Sequence, residues 1–360
     1  MIKYLGSKRR LVPVLTELFE RSGATTALDL FTGTTRVAQA FKRAGGTVTA
    51  VDTARYSEVF ARTWIALDAD ALTAEHRAEL ADAFAHLSAL PGQAGYVTDT
   101  FCRQSRFFQP HNGERIDAIR DAIAADYAGT WLEPVLLTSL LLAADRVDST
   151  TGVQMAYVKA WAPRSFQELE LRVPDLLGGS GRAVRGDATE LAGALGHVDL
   201  AYLDPPYNQH RYFTNYHVWE TIVAWDHPEH YGVACKRTDA RDDHTRSAFN
   251  SKRTMPSVLA DTIAAVDADV VVVSYNDESW VTLDELTAMC AARPGNPDVV
   301  ALAFDSKRYV GAQIGIHSPT GERVGQVGRL RNLEYLVVAG PSDATRHMTE
   351  PFGHAVVPAV

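Results

Sequence analysis

The arrangement best suited to chemistry is Asp204, Pro205, Pro206, Tyr207, which follows the apolar run Val198 to Leu203. Such a run reads as a buried strand, and it delivers a carboxylate to its end. Two prolines then fix the backbone and remove two N–H donors, so the Pro205 carbonyl is held rigidly and is not required by a sheet ladder. A carboxylate beside a rigid carbonyl can accept both hydrogens of an exocyclic amine such as that of adenine, whose lone pair is otherwise delocalised into the ring. Held in this way, the nitrogen turns its lone pair toward an electrophile, for which a sulfonium methyl is the matching donor. Tyr207 offers an aromatic face for a base taken out of its stack.

A second set of residues suits a bound nucleoside. In the turn Asp29, Leu30, Phe31, Thr32, Gly33, Thr34, Thr35, the glycine lets backbone approach a ligand ahead of a helix N-terminus. Asp52 ends the next strand about twenty residues later, where an acid takes a ribose diol. Nicotinamide enzymes and S-adenosylmethionine enzymes share that acid and separate on the glycines. A dinucleotide needs glycine at positions that here are Thr35 and Ala38, whereas a ligand without phosphate does not. Asp187 ends a further strand, and ligands of open α/β sheets bind outside such carboxyl ends.

The elements that must position these residues follow from periodicity. Ser7 can cap a helix through Leu11, Leu15, Leu18 and Phe19, with Pro13 in its first turn. Thr26 to Phe31 and Thr47 to Asp52 read as buried strands around a helix from Thr34 to Ala44, stopped by Gly45 and Gly46. From Ala54 to Leu177 the texture becomes helical, rich in Ala, Leu and charge, as in an inserted domain. Strand texture returns at Arg182 to Gly186, Val198 to Asp204 and Asp269 to Tyr275. Arg308 to His317 and Leu333 to Val338 suggest an antiparallel edge joined by the turn 318–321. The tail from Pro341 is expected to pack poorly.

Composition bounds the alternatives. A chain of 360 residues, 46% hydrophobic, can bury a sizeable core and corresponds to roughly two domains. The longest apolar run, Val135 to Ala144, is interrupted by Thr138 and Ser139 and is far short of the ~20 residues a bilayer requires. No membrane association and a cytoplasmic location are the resulting expectations. Cys102, Cys235 and Cys290 are dispersed, which argues against a zinc site or a disulfide framework. The net charge of -9 means that any nucleic-acid binding must rest on local basic clusters.

The motifs Lys3-Tyr4-Leu5-Gly6-Ser7-Lys8, Asp29 to Gly33, Asp52, Gly186-Asp187 and Asp204 to Tyr207 stand in one order along the chain. In that order the sequence is similar to the Dam-like adenine-specific DNA methyltransferases of the α class. The resemblance implies an α/β, Rossmann-like S-adenosylmethionine-dependent methyltransferase fold with an inserted helical target-recognition domain. Residues 1–53 and 181–340 would form the catalytic domain, 54–180 the insert and 341–360 a C-terminal tail. It also implies methyl transfer from S-adenosyl-L-methionine to a flipped-out adenine in duplex DNA by Asp204, Pro205, Pro206 and Tyr207. Tyr4, Gly6, Lys8, Asp29, Phe31, Gly33, Asp52, Asp187 and Asp204 would bind the cofactor. Within that set, Lys8 would lie near the methionine carboxylate, Asp52 at the ribose and Asp187 by the adenine. The chain departs from the family pattern at Thr34 and Thr35, where glycine or small residues are more usual.

The same resemblance places target recognition in the insert. Arg146 to Gln154 resembles the family's Arg and Asn hairpin, with Asp148 in the place of Asn. Arg103 to Asn112 mixes bases, amides and aromatics suited to phosphate and base contacts, although Phe107 and Phe108 are equally good core residues. The candidates for DNA contact are Arg103, Arg106, Arg146, Gln154, Arg211, Lys236, Arg237, Arg246, Lys252 and Arg253. Lys307, Arg308, Arg323, Arg329 and Arg331 could extend the phosphate track. Double-stranded DNA is the implied partner, with a separately acting cognate restriction enzyme as a second; no metal is implied. Methylation of adenine in structured RNA, and a catalytically silent DNA-binding module, are the competing readings. The long insert and the motif order favour DNA, and the intact Asp204 to Tyr207 favours an enzyme. A protein glutamine methyltransferase would carry Asn where Asp204 stands.

Overall fold

The structure is a computed structural model that describes residues 2–6, 8–155, 157–158, 160–207, 209–295, 297–307 and 331–357. Its strands in chain order are β1 (Thr26–Asp29), β2 (Thr47–Asp52), β3 (Gly181–Arg185), β4 (Val198–Leu203), β5 (His230–Tyr231), β6 (Lys236–Arg237), β7 (Ala268–Asn276), β8 (Asp298–Lys307), β9 (Arg331–Gly340) and β10 (Val356–Val357). The helices used below are α1 (Val12–Ser22), α2 (Arg36–Arg43), α3 (Arg55–Ala61), α4 (Ala74–Ala89), α5 (Pro110–Asp126), α6 (Leu132–Val147), α7 (Ala188–Leu191), α8 (Tyr212–Asn215), α9 (His217–Ala224), α10 (Met255–Ala265), α11 (Leu283–Ala291) and α12 (Ser342–Thr349). The chain divides into two compact units, one of residues 1–9, 32–186 and 211–246, the other of residues 10–31, 187–210 and 247–360.

In the second of these units the strands lie in the order β10, β8, β9, β7, β4, β1. β4 pairs in parallel with β1, Ala27 opposite Leu200, and with β7, Leu203 opposite Val273. Both neighbours cover its edges, and four of its residues from Leu200 to Leu203 are buried, as expected of an apolar run inside a parallel sheet. β9 is antiparallel to β7 and to β8, with Leu336 opposite both Ser274 and Leu302. The antiparallel edge expected from the sequence is therefore present, but β9 is paired by Asp298–Lys307. The run Arg308 to His317, its expected partner, and the turn 318–321 lie outside the described residues, as do Arg323 and Arg329. The side chains of Lys307 and Arg331 are also outside the description.

The tail does not pack poorly. α12 lies against α1, where Arg21 donates to the His347 carbonyl at 2.7 Å and pairs with Glu350 at 2.9 Å. Met348 and Thr345 are buried, and β10 pairs with β8, Val356 opposite Leu302. Alternation in a short C-terminal segment was too weak to announce this packing. α1 begins at Val12 with Pro13 in the first turn and Leu11 as its N-cap; Ser7, the expected cap, lies outside the described residues.

The first unit is mostly helical, with β2 and β3 paired in parallel, Asp52 opposite Arg185. Gly181 enters β3 where a Cβ would stand 2.6 Å from the Ile65 carbonyl oxygen and 2.7 Å from that of Val48, so only glycine fits. α6 is buried along nearly its whole length, which explains why it carries the longest apolar run. Asp117 on α5 accepts from the backbone N–H groups of Gly95, Val97 and Thr98 at 2.8 to 2.9 Å, tying the preceding loop to the helix.

Candidate functional site

In the helical unit Asp52 and Tyr4 lie against Gly33. Its backbone N–H donates to Asp52 Oδ2 at 2.8 Å, and Ala54 N–H donates to Asp52 Oδ1 at 3.0 Å. Low-dielectric surroundings push the Asp52 carboxyl above its ordinary range, and the N–H groups of Ala54, Gly33 and Thr53 oppose that shift. Each carboxylate oxygen keeps lone-pair capacity beyond these bonds, which suits a diol donor. Gly33 adopts φ +51, and a Cβ there would stand 3.1 Å from Tyr4 Cε1, so the Tyr4 ring lies directly over the turn.

Tyr4 is held by a tyrosine cluster that sequence spacing did not announce. Its ring stacks on Tyr216 at 4.7 Å and on Tyr212 at 5.4 Å, and meets Tyr56 edge-on at 6.4 Å. Tyr56 donates to the Tyr4 hydroxyl at 3.5 Å, and the Tyr216 hydroxyl accepts from Leu5 N–H at 2.6 Å. The spacing of Tyr212 and Tyr216, four residues apart just after the Asp-Pro-Pro-Tyr motif, was the signal available. Glu220 on α9 accepts from the Arg55 N–H at 2.8 Å, placing a carboxylate at the N-terminus of α3, which carries Tyr56. Burial raises the Glu220 carboxyl to about 7.

Thr35 takes φ 59 as the residue before α2, a left-handed conformation that a β-branched residue adopts only under constraint. Its N–H donates to the Thr32 carbonyl at 2.7 Å and its hydroxyl accepts from Gln39 Nε2 at 2.9 Å. The departure from a small residue is thus accommodated with strain. Gly6 has φ +75, and Lys8 is buried.

In the second unit Asp29 is buried at the end of β1, and Leu30 N–H donates to the Tyr202 carbonyl at 3.1 Å. Asp204 follows the last residue of β4, with Pro205 buried and Asp204, Pro206 and Tyr207 half-buried. The Tyr207 ring meets Tyr275 edge-on at 5.7 Å. Tyr275 in turn accepts from Val281 N–H at 3.3 Å, and burial raises its hydroxyl to about 12. Phe31 packs edge-on against Phe249 at 5.2 Å. Asp187 caps α7, accepting from Thr189 N–H at 2.8 Å and Thr189 Oγ1 at 2.6 Å.

The residues proposed for DNA contact divide by environment. Arg211, Lys252 and Arg253 are exposed. Arg103 pairs with Asp99 at 2.5 Å and Arg246 with Asp243 at 2.8 Å, both on the surface where such pairs are weak. Arg106 lies over the Trp161 ring at 4.8 Å, and Arg146 donates to the Glu170 carbonyl at 2.5 Å. Lys236 is half-buried on β6.

Gln154 and Arg237 are placed differently from what direct contact requires. Gln154 is 2% exposed, and its amide oxygen accepts from Val218 N–H at 2.9 Å, so it anchors α9. Arg237 is 5% exposed and clamped by Asp226 and Asp239, each at 2.7 Å. Asp239 stands two residues away in the sequence, whereas Asp226 reaches Arg237 only through folding. Phe107 and Phe108 are fully buried, which settles them as core. Asp148, in the place of a hairpin Asn, is also buried. It accepts from Arg164 at 2.7 Å and Thr150 Oγ1 at 2.6 Å and pairs with Lys3 at 3.2 Å. That arrangement uses Lys3 of the N-terminal motif as a structural cation.

The Asp-Pro-Pro-Tyr run after β4 and the acid after β2 without a phosphate-binding glycine set are the pattern expected of a methyltransferase acting on an amino group. The chain belongs to the D12 class N6 adenine-specific DNA methyltransferase family, whose model matches residues 4–289. It is 30% identical over 301 residues to Type II methyltransferase M.NlaIII of Neisseria lactamica, covering 79% of this chain and 86% of that protein. It is 28% identical over 301 residues to Modification methylase StsI of Streptococcus sanguinis, covering 79% of this chain and 45% of that protein. It is 26% identical over 303 residues to Modification methylase LlaI of Lactococcus lactis subsp. lactis, covering 79% of this chain and 48% of that protein. The chain thus spans less than half of those two methylases. No solved structure is a significant match. Among the described residues, no helix is long and apolar enough to cross a membrane.

Proposed function

We propose that the chain methylates the N6 nitrogen of an adenine extruded from duplex DNA, with S-adenosyl-L-methionine as donor. The observation that carries this reading is Asp204-Pro205-Pro206-Tyr207 at the carboxyl end of β4, a strand flanked in parallel on both edges. There the Asp204 carboxylate and the Pro205 carbonyl accept the two amino hydrogens and direct the nitrogen lone pair outward. Tyr207, braced by Tyr275, stacks on the extruded base. The amino proton released on transfer passes to the Asp204 carboxylate.

The residues present fit the cofactor. Asp52 retains acceptor capacity for a ribose diol, and Gly33 brings backbone close without offering a phosphate cradle. Asp52, Gly33 and Tyr4 would hold it, with Gly6 and Lys8 of the same N-terminal motif; Asp29, Phe31, Asp187 and Asp204 are assigned to it from the order of the motifs along the chain. When bound, it supplies a methyl group activated by a sulfonium.

Arg103, Arg106, Arg146, Arg211, Lys236, Arg246, Lys252 and Arg253 are assigned to DNA, chiefly to phosphates, and the helical segment 54–180 to target recognition. Gln154 and Arg237 are assigned to support of that segment and its neighbours. The names of the relatives as modification methylases support a role in marking DNA against a separately acting restriction enzyme. Incubation with labelled methyl donor and duplex DNA, in competition with unlabelled duplex DNA or structured RNA, tests the substrate. Loss of label to DNA competitor alone supports the reading, and loss to RNA alone overturns it.

A further inference from the structure

Within the helical unit, Met155 and Tyr157 face the turn between β5 and β6 across a cavity of ≈ 300 Å³, lined also by Tyr231, Val233, Ala234 and Lys236. The apolar side chains here are unusually open: Val233 is 76% exposed and Met155 40%. The turn that presents Val233 has Gly232 at φ +70 and Cys235 at φ +46, with Cys235 N–H donating to the Gly232 carbonyl at 3.0 Å. Two cations border it: Arg241 stacks on Tyr231 at 3.7 Å and Lys236 lines the cavity itself. Met155 follows Gln154 directly, and Gln154 is the buried anchor that fixes this segment to α9.

We infer that this pocket reads one thymine of the recognised sequence from the major groove, its 5-methyl group entering between Met155 and Val233 and its O4 accepting from the Lys236 ammonium. The inference rests on the reading of the chain as acting on duplex DNA. Three features select this occupant. A lysine only donates, so it matches a carbonyl edge and opposes an amino edge such as those of cytosine and adenine. Guanine, at N7 and O6, and adenine, at N7, also present acceptors, but neither has a methyl group to fill an apolar wall. The positive charge on Lys236 and Arg241 complements a phosphate backbone, and apolar contact with the thymine methyl is an established mode of base discrimination.

The test uses the full chain. The methylated sequence is first mapped, and each thymine of a duplex carrying it is then replaced in turn by deoxyuridine, which removes only the 5-methyl group. One position is expected to lower kcat/KM by about four-fold, the equivalent of ~0.8 kcal/mol for one buried methyl. Val233→Ala and Met155→Ala should shrink that thymine-to-uracil ratio toward one, whereas Val356→Ala, an exposed residue of β10 away from the residues assigned to cofactor or DNA, should leave it unchanged. Lys236→Met should relax the preference for thymine over cytosine at the same position. Methylation that is indifferent to uracil everywhere, or a sensitive position that the pocket variants leave untouched, overturns the assignment while the adenine-methylation reading stands. Absence of adenine methylation in the wild-type protein overturns both.

Discussion

The Gly33 N–H donates to Asp52 Oδ2 at 2.8 Å, so the turn after one strand and the acid at the end of the next are a single hydrogen-bonded unit. Replacing Gly33 by Ala places a Cβ 3.1 Å from Tyr4 Cε1 at φ +51, which must displace the tyrosine ring or the turn. Gly33→Ala should therefore weaken S-adenosylmethionine binding and cost about 1–2 kcal/mol of stability from the left-handed backbone alone. Asp52→Ala should weaken binding as well. Titration calorimetry checks both, and unchanged affinity in the two variants would remove the ribose assignment.

Glu220 supplies a pH dependence with a definite sign. Burial raises its carboxyl from the ordinary value of 4.5 to about 7, so the folded protein holds its proton where the unfolded chain has lost it. The stabilisation is fully present below about pH 4.5 and is lost as pH rises through about 7. Glu220→Gln keeps an oxygen acceptor for Arg55 N–H and cannot titrate. The stability of the wild type relative to this variant should fall between these pH values by an amount on the order of 3 kcal/mol at most. Denaturant unfolding across that window reads the difference, and parallel curves would show that Glu220 does not titrate there.

Exposed and clamped basic residues should behave differently toward DNA. Neutralising Arg211, Lys252 and Arg253 together should flatten the salt dependence of duplex binding, by ~0.9 in logarithmic slope for each phosphate no longer neutralised. Arg237→Gln leaves Asp226 and Asp239 without their shared cation and should cost about 2–3 kcal/mol of stability while leaving the slope alone. If Arg237→Gln changes the slope and the triple variant does not, the division between phosphate-binding and structural arginines is wrong.

The strands were legible where they are apolar on both faces, as in Val198–Leu203 and Ala268–Asn276, because a buried parallel strand writes itself as a continuous run. Asp204 to Tyr207 was legible because its chemistry is local, with acid, prolines and aromatic consecutive in sequence. The support for Tyr4 was not, because Tyr56, Tyr212 and Tyr216 come from separate parts of the chain and meet only through folding. The burial of Gln154 and the Asp226 half of the Arg237 clamp were hidden for the same reason, whereas Asp239, two residues from Arg237, was in view: the sequence shows side-chain partners only where they are neighbours. Asp148 looked like a departure in a recognition hairpin, whereas its partners Arg164 and Lys3 make it a buried electrostatic hub.

Asp204 carries the central claim, and a direct measurement is the yield of N6-methyladenine in duplex DNA incubated with wild-type protein and with Asp204→Ala, read by mass spectrometry of the hydrolysed nucleosides. Circular dichroism and cofactor titration on the same samples establish that the variant is folded and occupied. The account predicts N6-methyladenine with the wild type and none above background with Asp204→Ala. Wild-type-like methylation by a folded Asp204→Ala variant would contradict it.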